Sequence, residues 1–96
     1  MNTYEAMVMV KPDLSEEEGK TLFAQINDAV IKNKGLIAKS AVWSEKRKLI
    51  FPIKKQQEAV YYLVNFQAPP EAIKEMRAIY RLNEFILRVL ITNTGG

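Results

Sequence analysis

Ninety-six residues, 48% of them hydrophobic, suit one globular domain and leave no room for a second core. The chain has neither cysteine nor histidine, which removes disulfides, thiol catalysis, thiolate metal sites and the commonest general base together. The net charge of +3 is modest. No apolar run nears the ~18 residues of a membrane span and the opening lacks the layout of a secretion signal, so a cytosolic chain is expected.

From Thr3 to Lys11 apolar side chains alternate, with Tyr4, Ala6, Val8 and Val10 on one side and Glu5, Met7 and Met9 on the other, which predicts a strand. Pro12-Asp13 breaks it. Ser15 and Glu18 have the spacing of a capping box, and Glu16, Glu17 and Glu18 complement a helix N-terminus. Leu22, Phe23, Ile26, Ala29 and Val30 then form one helical stripe, and Gly35 is expected to stop that helix in the left-handed conformation. A second strand, with a bulge, is expected over Leu36 to Trp43. The stretch from Glu45 to Lys55 reads as a hairpin arm at a sheet edge, because Pro52 has no N–H for a ladder. Glu58 to Phe66 alternates clearly as a third strand. Pro69-Pro70 opens a second helix lined by Ile73, Met76, Ile79 and Tyr80. A last strand is expected from about Phe85 to Thr92, with Asn93 to Gly96 frayed.

The order is β-α-β-β-α-β, which with right-handed crossovers gives a ferredoxin-like α+β sandwich: a four-stranded antiparallel sheet with both helices on one face. Parity assigns Tyr4, Ala6, Val8, Val10, Val60, Tyr62, Val64, Phe66, Ile86, Val89 and Ile91 to the covered face. Glu5, Met7, Met9, Tyr61, Leu63, Asn65, Arg88, Leu90 and Thr92 fall on the open one. Five of those nine are large and apolar or aromatic, which on a solvated sheet face points to a partner or to coverage by the chain's own hairpin. Base stacking of the kind seen on RNA-recognition sheets finds little support, since Glu58-Ala59-Val60-Tyr61-Tyr62 lacks the basic-Gly-aromatic run.

Charge is segregated. Lys32, Lys34, Lys39, Lys46, Arg47, Lys48, Lys54 and Lys55 lie between Ile31 and Lys55 against the single acid Glu45, a local excess of seven positive charges. The remainder, with six basic and ten acidic residues, is net negative. Such a segment either binds a polyanion or is a solvated loop. Enzyme chemistry is poorly served. The four glycines form no phosphate loop, no serine has a histidine to activate it, and the adjacent acids at Glu16 to Glu18 are explained by capping. Acylphosphatases share the strand-helix order but need an arginine in the first loop, and here Lys11-Pro12-Asp13-Leu14 has none. No catalytic residues, metal, cofactor or small-molecule substrate are expected. The basic arm, with Lys46-Arg47-Lys48 and Lys54-Lys55, is the candidate site, and its contacts would be to phosphate. The competing reading is a ferredoxin-like regulatory or oligomerising ligand-binding module, which would not need the basic segment.

Three stretches carry a family resemblance: Tyr4-Glu5, the run Arg47-Lys48-Leu49-Ile50-Phe51-Pro52-Ile53-Lys54-Lys55, and Tyr80-Arg81-Leu82-Asn83-Glu84 through Arg88. Together, over roughly residues 3 to 93, they resemble the family of the sixth protein of the bacterial small ribosomal subunit. The resemblance implies a ferredoxin-like, non-enzymatic structural protein that binds the central domain of small-subunit ribosomal RNA. It also implies pairing with the eighteenth small-subunit protein. By the same resemblance Arg47, Lys48 and Lys55 would face RNA, and Tyr4 and Arg88 would belong to the binding surface. Met7, Met9, Tyr61, Leu63 and Leu90 would be offered to the protein partner. Asn2-Thr3 stand where the family carries an arginine pair, which implies weaker autonomous RNA binding and more reliance on the partner.

Overall fold

A computed structural model describes residues 1–95, and for residues 44–46 the backbone alone. Six elements follow in chain order: β1 (Asn2–Val10), α1 (Glu16–Lys32), β2 (Leu36–Ile53), β3 (Gln56–Ala68), α2 (Ala72–Leu82) and β4 (Ile86–Gly95). The strands form one four-stranded sheet in the order β2-β3-β1-β4, every neighbouring pair antiparallel. This is the ferredoxin-like arrangement expected from the alternation. None of the helices is long and apolar enough to cross a membrane.

Both helices pack on one face. Ala6, Val8, Val10, Tyr62, Val64 and Phe66 from the central strands meet Leu22, Ile26, Ala29 and Val30 of α1 and Ala72, Met76 and Tyr80 of α2, all buried. Every covered-face assignment made from parity lies in this core or packs against it. Two side-chain contacts fix the layers further. The Tyr80 hydroxyl donates to the Ile26 carbonyl at 2.7 Å, tying α2 to α1. Phe23 lies flat on Tyr62 at 4.2 Å between centroids, tying α1 to the sheet.

The ends of α1 show how local chemistry sets the boundaries. Ser15 Oγ accepts from the Glu18 N–H at 3.1 Å, and the Ser15 N–H donates to Glu18 Oε1 at 3.0 Å, completing the expected capping box. Donation from the Ser15 N–H, and next from the neighbouring Ser15 side chain, holds the Glu18 carboxyl below its ordinary pKa. At the other end Gly35 N–H donates to Val30 O at 2.9 Å and Lys34 N–H to Ile31 O at 3.1 Å, the two bonds of a Schellman motif. The left-handed residue there is Lys34, with φ 67°, and not Gly35 as expected. Gly35 is needed for space instead: a Cβ would lie 2.5 Å from Val30 Cγ1 and 2.8 Å from Val30 O.

Three further expectations are corrected. Asn93 to Gly95 continue β4 and pair with β1, as Tyr4↔Asn93 and Thr3↔Gly95, because the first strand is long enough to template them; Gly96 lies outside the described residues. The stretches predicted as a strand and a separate arm form one 18-residue strand, β2. Pro69 and Pro70 stand before α2 in a turn closed by Ala72 N–H to Pro69 O at 3.0 Å.

Candidate nucleic-acid interface

The basic arm is the distal half of β2. As an edge strand β2 pairs only with β3, so Pro52 leaves no partner strand without a donor. Its register slips at several points. Lys48 pairs with Glu58 and Ile53 with Gln56, so Leu49 to Pro52 bulge out opposite Gln57 alone. The bulge leaves Ile50 91% and Phe51 76% exposed. The arm closes through Lys54-Lys55, at φ 50° and 68°, between the paired residues Ile53 and Gln56. Two central residues at positive φ make a type I′ hairpin turn, for which Asn-Gly is the preferred sequence.

The arm also bends back over the open face. Met9, Ala59 and Leu87 are buried there, with Met7, Leu49, Ile53 and Tyr61 packed against them. At the tip, the Lys54 ammonium donates to the Ile86 carbonyl at 3.0 Å. Because β4 lies at the opposite edge of the sheet from β2, this bond carries the hairpin tip past β1. Part of the apolar open face is therefore covered by the chain itself.

Beside this covered part a groove of roughly 480 Å³ stays open. Its lining includes Arg47, Lys48 and Arg88 around Met7, Trp43, Ile50, Phe51 and Tyr61. The Arg47 guanidinium lies over the Trp43 ring at 5.0 Å, and Trp43 meets Tyr61 edge-on at 5.7 Å. Cation–π contact at such an exposed site contributes about 0.5–1 kcal/mol, enough to bias Arg47 toward one orientation without neutralising it. A cationic rim on an aromatic floor can hold phosphate at the rim and an apolar or planar group on the floor.

The expected site residues divide accordingly. Arg47, Lys48, Arg88, Met7 and Tyr61 come together at the groove. Leu63 is half-buried and Leu90 is exposed. Lys55 is exposed at the turn, and Lys54 joins it there with its amine directed to Ile86. The Lys46 side chain lies outside the described residues. One expectation does not survive. Tyr4 is 6% exposed, stacks on Phe66 at 5.5 Å and accepts a hydrogen bond from Asn2 Nδ2, so its ring is core and not surface. Met9 is reduced to 8% exposure by the returning arm but still lines the open groove beside Met7.

Sequence reasoning passed over Trp43, Ile50, Phe51 and Leu87. The last had a signal. Ile86 and Val89, three apart, both point to the covered face, which demands one extra residue between them. The register provides it, Val10↔Ile86 being followed by Met9↔Arg88, with Leu87 turned to the open side. The exposure of Ile50 and Phe51 depends on a slipped register that no local pattern announced.

Comparison with known proteins agrees with this architecture. The family model for ribosomal protein S6 matches residues 3–93. The small ribosomal subunit protein bS6 of Caldanaerobacter subterraneus subsp. tengcongensis is 38% identical over 94 residues, spanning 98% of each chain. That of Pseudarthrobacter chlorophenolicus is 36% identical over 92 residues, covering 96% of this chain and 90% of the other. Among solved structures, 30S ribosomal protein S6 of Thermotoga maritima superposes with a TM-score of 0.87 at 27% identity, covering 96% of this chain and 86% of that one.

Proposed function

The chain belongs to the ribosomal protein S6 family of the small ribosomal subunit, and from that premise we propose that it binds the central domain of small-subunit ribosomal RNA jointly with a partner protein, the eighteenth of that subunit. Its relatives are proteins of the small ribosomal subunit, and its role on this reading is assembly without catalysis.

One observation carries the proposal. Arg47, Lys48 and Arg88, from two strands at opposite edges of the sheet, line a single groove whose floor is aromatic and apolar. Guanidinium groups grip phosphate oxygens as planar forks, and lysines add mobile charge. Lys46, Lys54 and Lys55 extend the same positive arm in sequence. Phosphate contacts of this kind set position and affinity and carry little sequence information, so structured RNA would be read by shape. Met7, Tyr61, Leu63 and Leu90 remain accessible beside the cations and suit a protein partner. Two ligands on adjoining surfaces should bind cooperatively.

The test is a salt titration of binding to central-domain RNA fragments, with and without the partner protein. About five neutralised phosphates give a log–log slope near −4. Arg47→Ala combined with Lys48→Ala should flatten that slope by about 2, and the partner should raise RNA affinity. Binding unaffected by the double substitution, or absent at every salt concentration even with the partner, would overturn the reading.

A further inference from the structure

A second group of cations converges between α2 and β4. A cavity of about 240 Å³ there is lined by Lys54, Arg77, Arg81 and Arg88, with Tyr80 and Leu87 among the residues behind them. Among the described residues no carboxylate lines it. Among the described residues the one ion pair is Lys20 with Glu16 on α1, so none of these four cations has a described carboxylate at ion-pairing distance.

The like charges are mildly unfavourable without a ligand. Arg77 and Arg81 are four apart on α2, where like charges face each other on one side of a helix and destabilise it. Arg88 is added from β4. Lys54 is brought from the tip of the β2–β3 hairpin, and one of its three ammonium hydrogens is fixed on Ile86 O, leaving two for another acceptor. Cations delivered from a helix, a strand and a hairpin tip to one concavity are complementary to an anion with several acceptor oxygens.

We propose that this cavity is a phosphate-binding site, in which the Arg77 and Arg81 guanidiniums grip a phosphate group while Lys54 and Arg88 contribute further donors. Arg88 also lines the open-face groove, so the two cationic regions are continuous at that residue. A strand of RNA held along Arg47 and Lys48 would pass Arg88 and place a later phosphodiester in the cavity. For that source of phosphate the inference rests on the RNA-binding reading; the chemistry of the cavity does not, and a free polyphosphate is the other source.

The experiment uses the full chain labelled with ¹⁵N and follows the guanidinium Nε–H signals of Arg77, Arg81 and Arg88. One arm adds central-domain RNA and the other adds pyrophosphate. In parallel, Arg77→Gln with Arg81→Gln is compared with Lys20→Gln with Lys32→Gln, which removes equal charge from α1. Saturable shifts of the arginine signals are expected in both arms, at lower concentration with RNA. The α2 double variant should bind RNA about tenfold more weakly than the α1 variant, with a salt slope lower by about 1. Equal losses in the two double variants would mean that only net charge matters, and would overturn the RNA contact. Shifts with pyrophosphate but not RNA would assign the cavity to a free phosphate compound. Unmoved signals in the pyrophosphate arm would remove the site even where RNA binds through the groove, whereas failure of the groove substitutions to affect RNA binding counts against the function itself.

Discussion

The two faces of one sheet are built by different rules. On the helix-covered face, Ala6, Val8, Val64 and Phe66 have no measurable exposure and meet two helices whose stripes match them. On the open face, among the described residues, only Met9, Ala59 and Leu87 are buried, and what covers them is the chain's own bent hairpin. The first face is closed by elements with regular periodicity. The second is closed by a bulged edge strand whose turn holds two lysines at positive φ. The first face carries most of the buried core and the second most of the proposed binding surface, and substitutions can test how cleanly the two separate.

The widest separation should come from two phenylalanines. Phe66→Ala removes a fully buried ring stacked on Tyr4 and should cost about 3–5 kcal/mol. Phe51→Ala, at an exposed ring of the bulge, should stay within about 0.5 kcal/mol in denaturant unfolding. A large loss from Phe51→Ala would mean that the bulge belongs to the fold's core and that the contrast is misdrawn.

That contrast also explains what the sequence made legible. Strict alternation in Tyr4 to Val10 and Val60 to Phe66, set against stripes of period 3.6, assigned the covered face residue by residue, because both sides of that contact are regular. The open face resisted. Leu49-Ile50-Phe51-Pro52-Ile53 has no alternation, and only the tertiary bend of the hairpin sends Leu49 and Ile53 inward while Ile50 and Phe51 stay outside. Trp43 stood at the end of a weakly alternating strand, and its pairing with Arg47 depends on the register slips around it. The cations of the arm could be named from charge segregation and Arg88 from parity and resemblance, but Arg77 and Arg81 from neither. Their neighbours on α2 are mixed in charge, and only folding brings β4 and the hairpin tip beside them. Placing Tyr4 on the binding surface followed resemblance against the chain's own parity, which had already put that ring in the core.

Next in size is Gly35→Ala, where α1 hands over to β2. The added Cβ would press on Val30 Cγ1 at 2.5 Å, on Val30 O at 2.8 Å and on Gln67 O at 3.2 Å, two of them backbone atoms. Overpacking of this kind costs about 1–3 kcal/mol, and thermal unfolding should show it while RNA affinity measured on the folded protein stays unchanged. A change in affinity would mean that strain at the covered face travels to the groove.

A smaller and pH-dependent effect belongs to Tyr80. Burial pushes its phenol above the ordinary tyrosine range, since the ionised form would lose water and gain no compensating charge. A group whose pKa is raised on folding contributes fully below its unfolded value, near 10, and that contribution is lost as pH rises above it. Tyr80→Phe should cost about 1 kcal/mol at neutral pH through the lost bond to Ile26 O, yet should show a shallower decline in stability above pH ~10 than the wild type. Parallel alkaline profiles for the two proteins would show that another group governs that limb.

The smallest effects discriminate most sharply between the faces. Lys34 and Lys55 both sit in the left-handed region, at φ 67° and 68°, where a side chain is disfavoured and glycine is not. Glycine at either position relieves that strain but adds freedom to the unfolded chain, so each substitution should raise stability by at most about 1 kcal/mol. Lys34 ends α1 on the helix layer, away from the groove and the cavity. Lys34→Gly should therefore stabilise the protein and leave RNA affinity nearly intact. Lys55 closes the hairpin that forms the cationic arm, so Lys55→Gly should stabilise the fold while weakening RNA binding about two- to fivefold and lowering the salt slope by less than 1. The two variants have equal charge and equal backbone relief, so unequal RNA binding would identify Lys55 as strain retained for contact with the polyanion. Equal binding would return both lysines to ordinary turn residues, and the binding face would then begin no further out than Arg47 and Lys48.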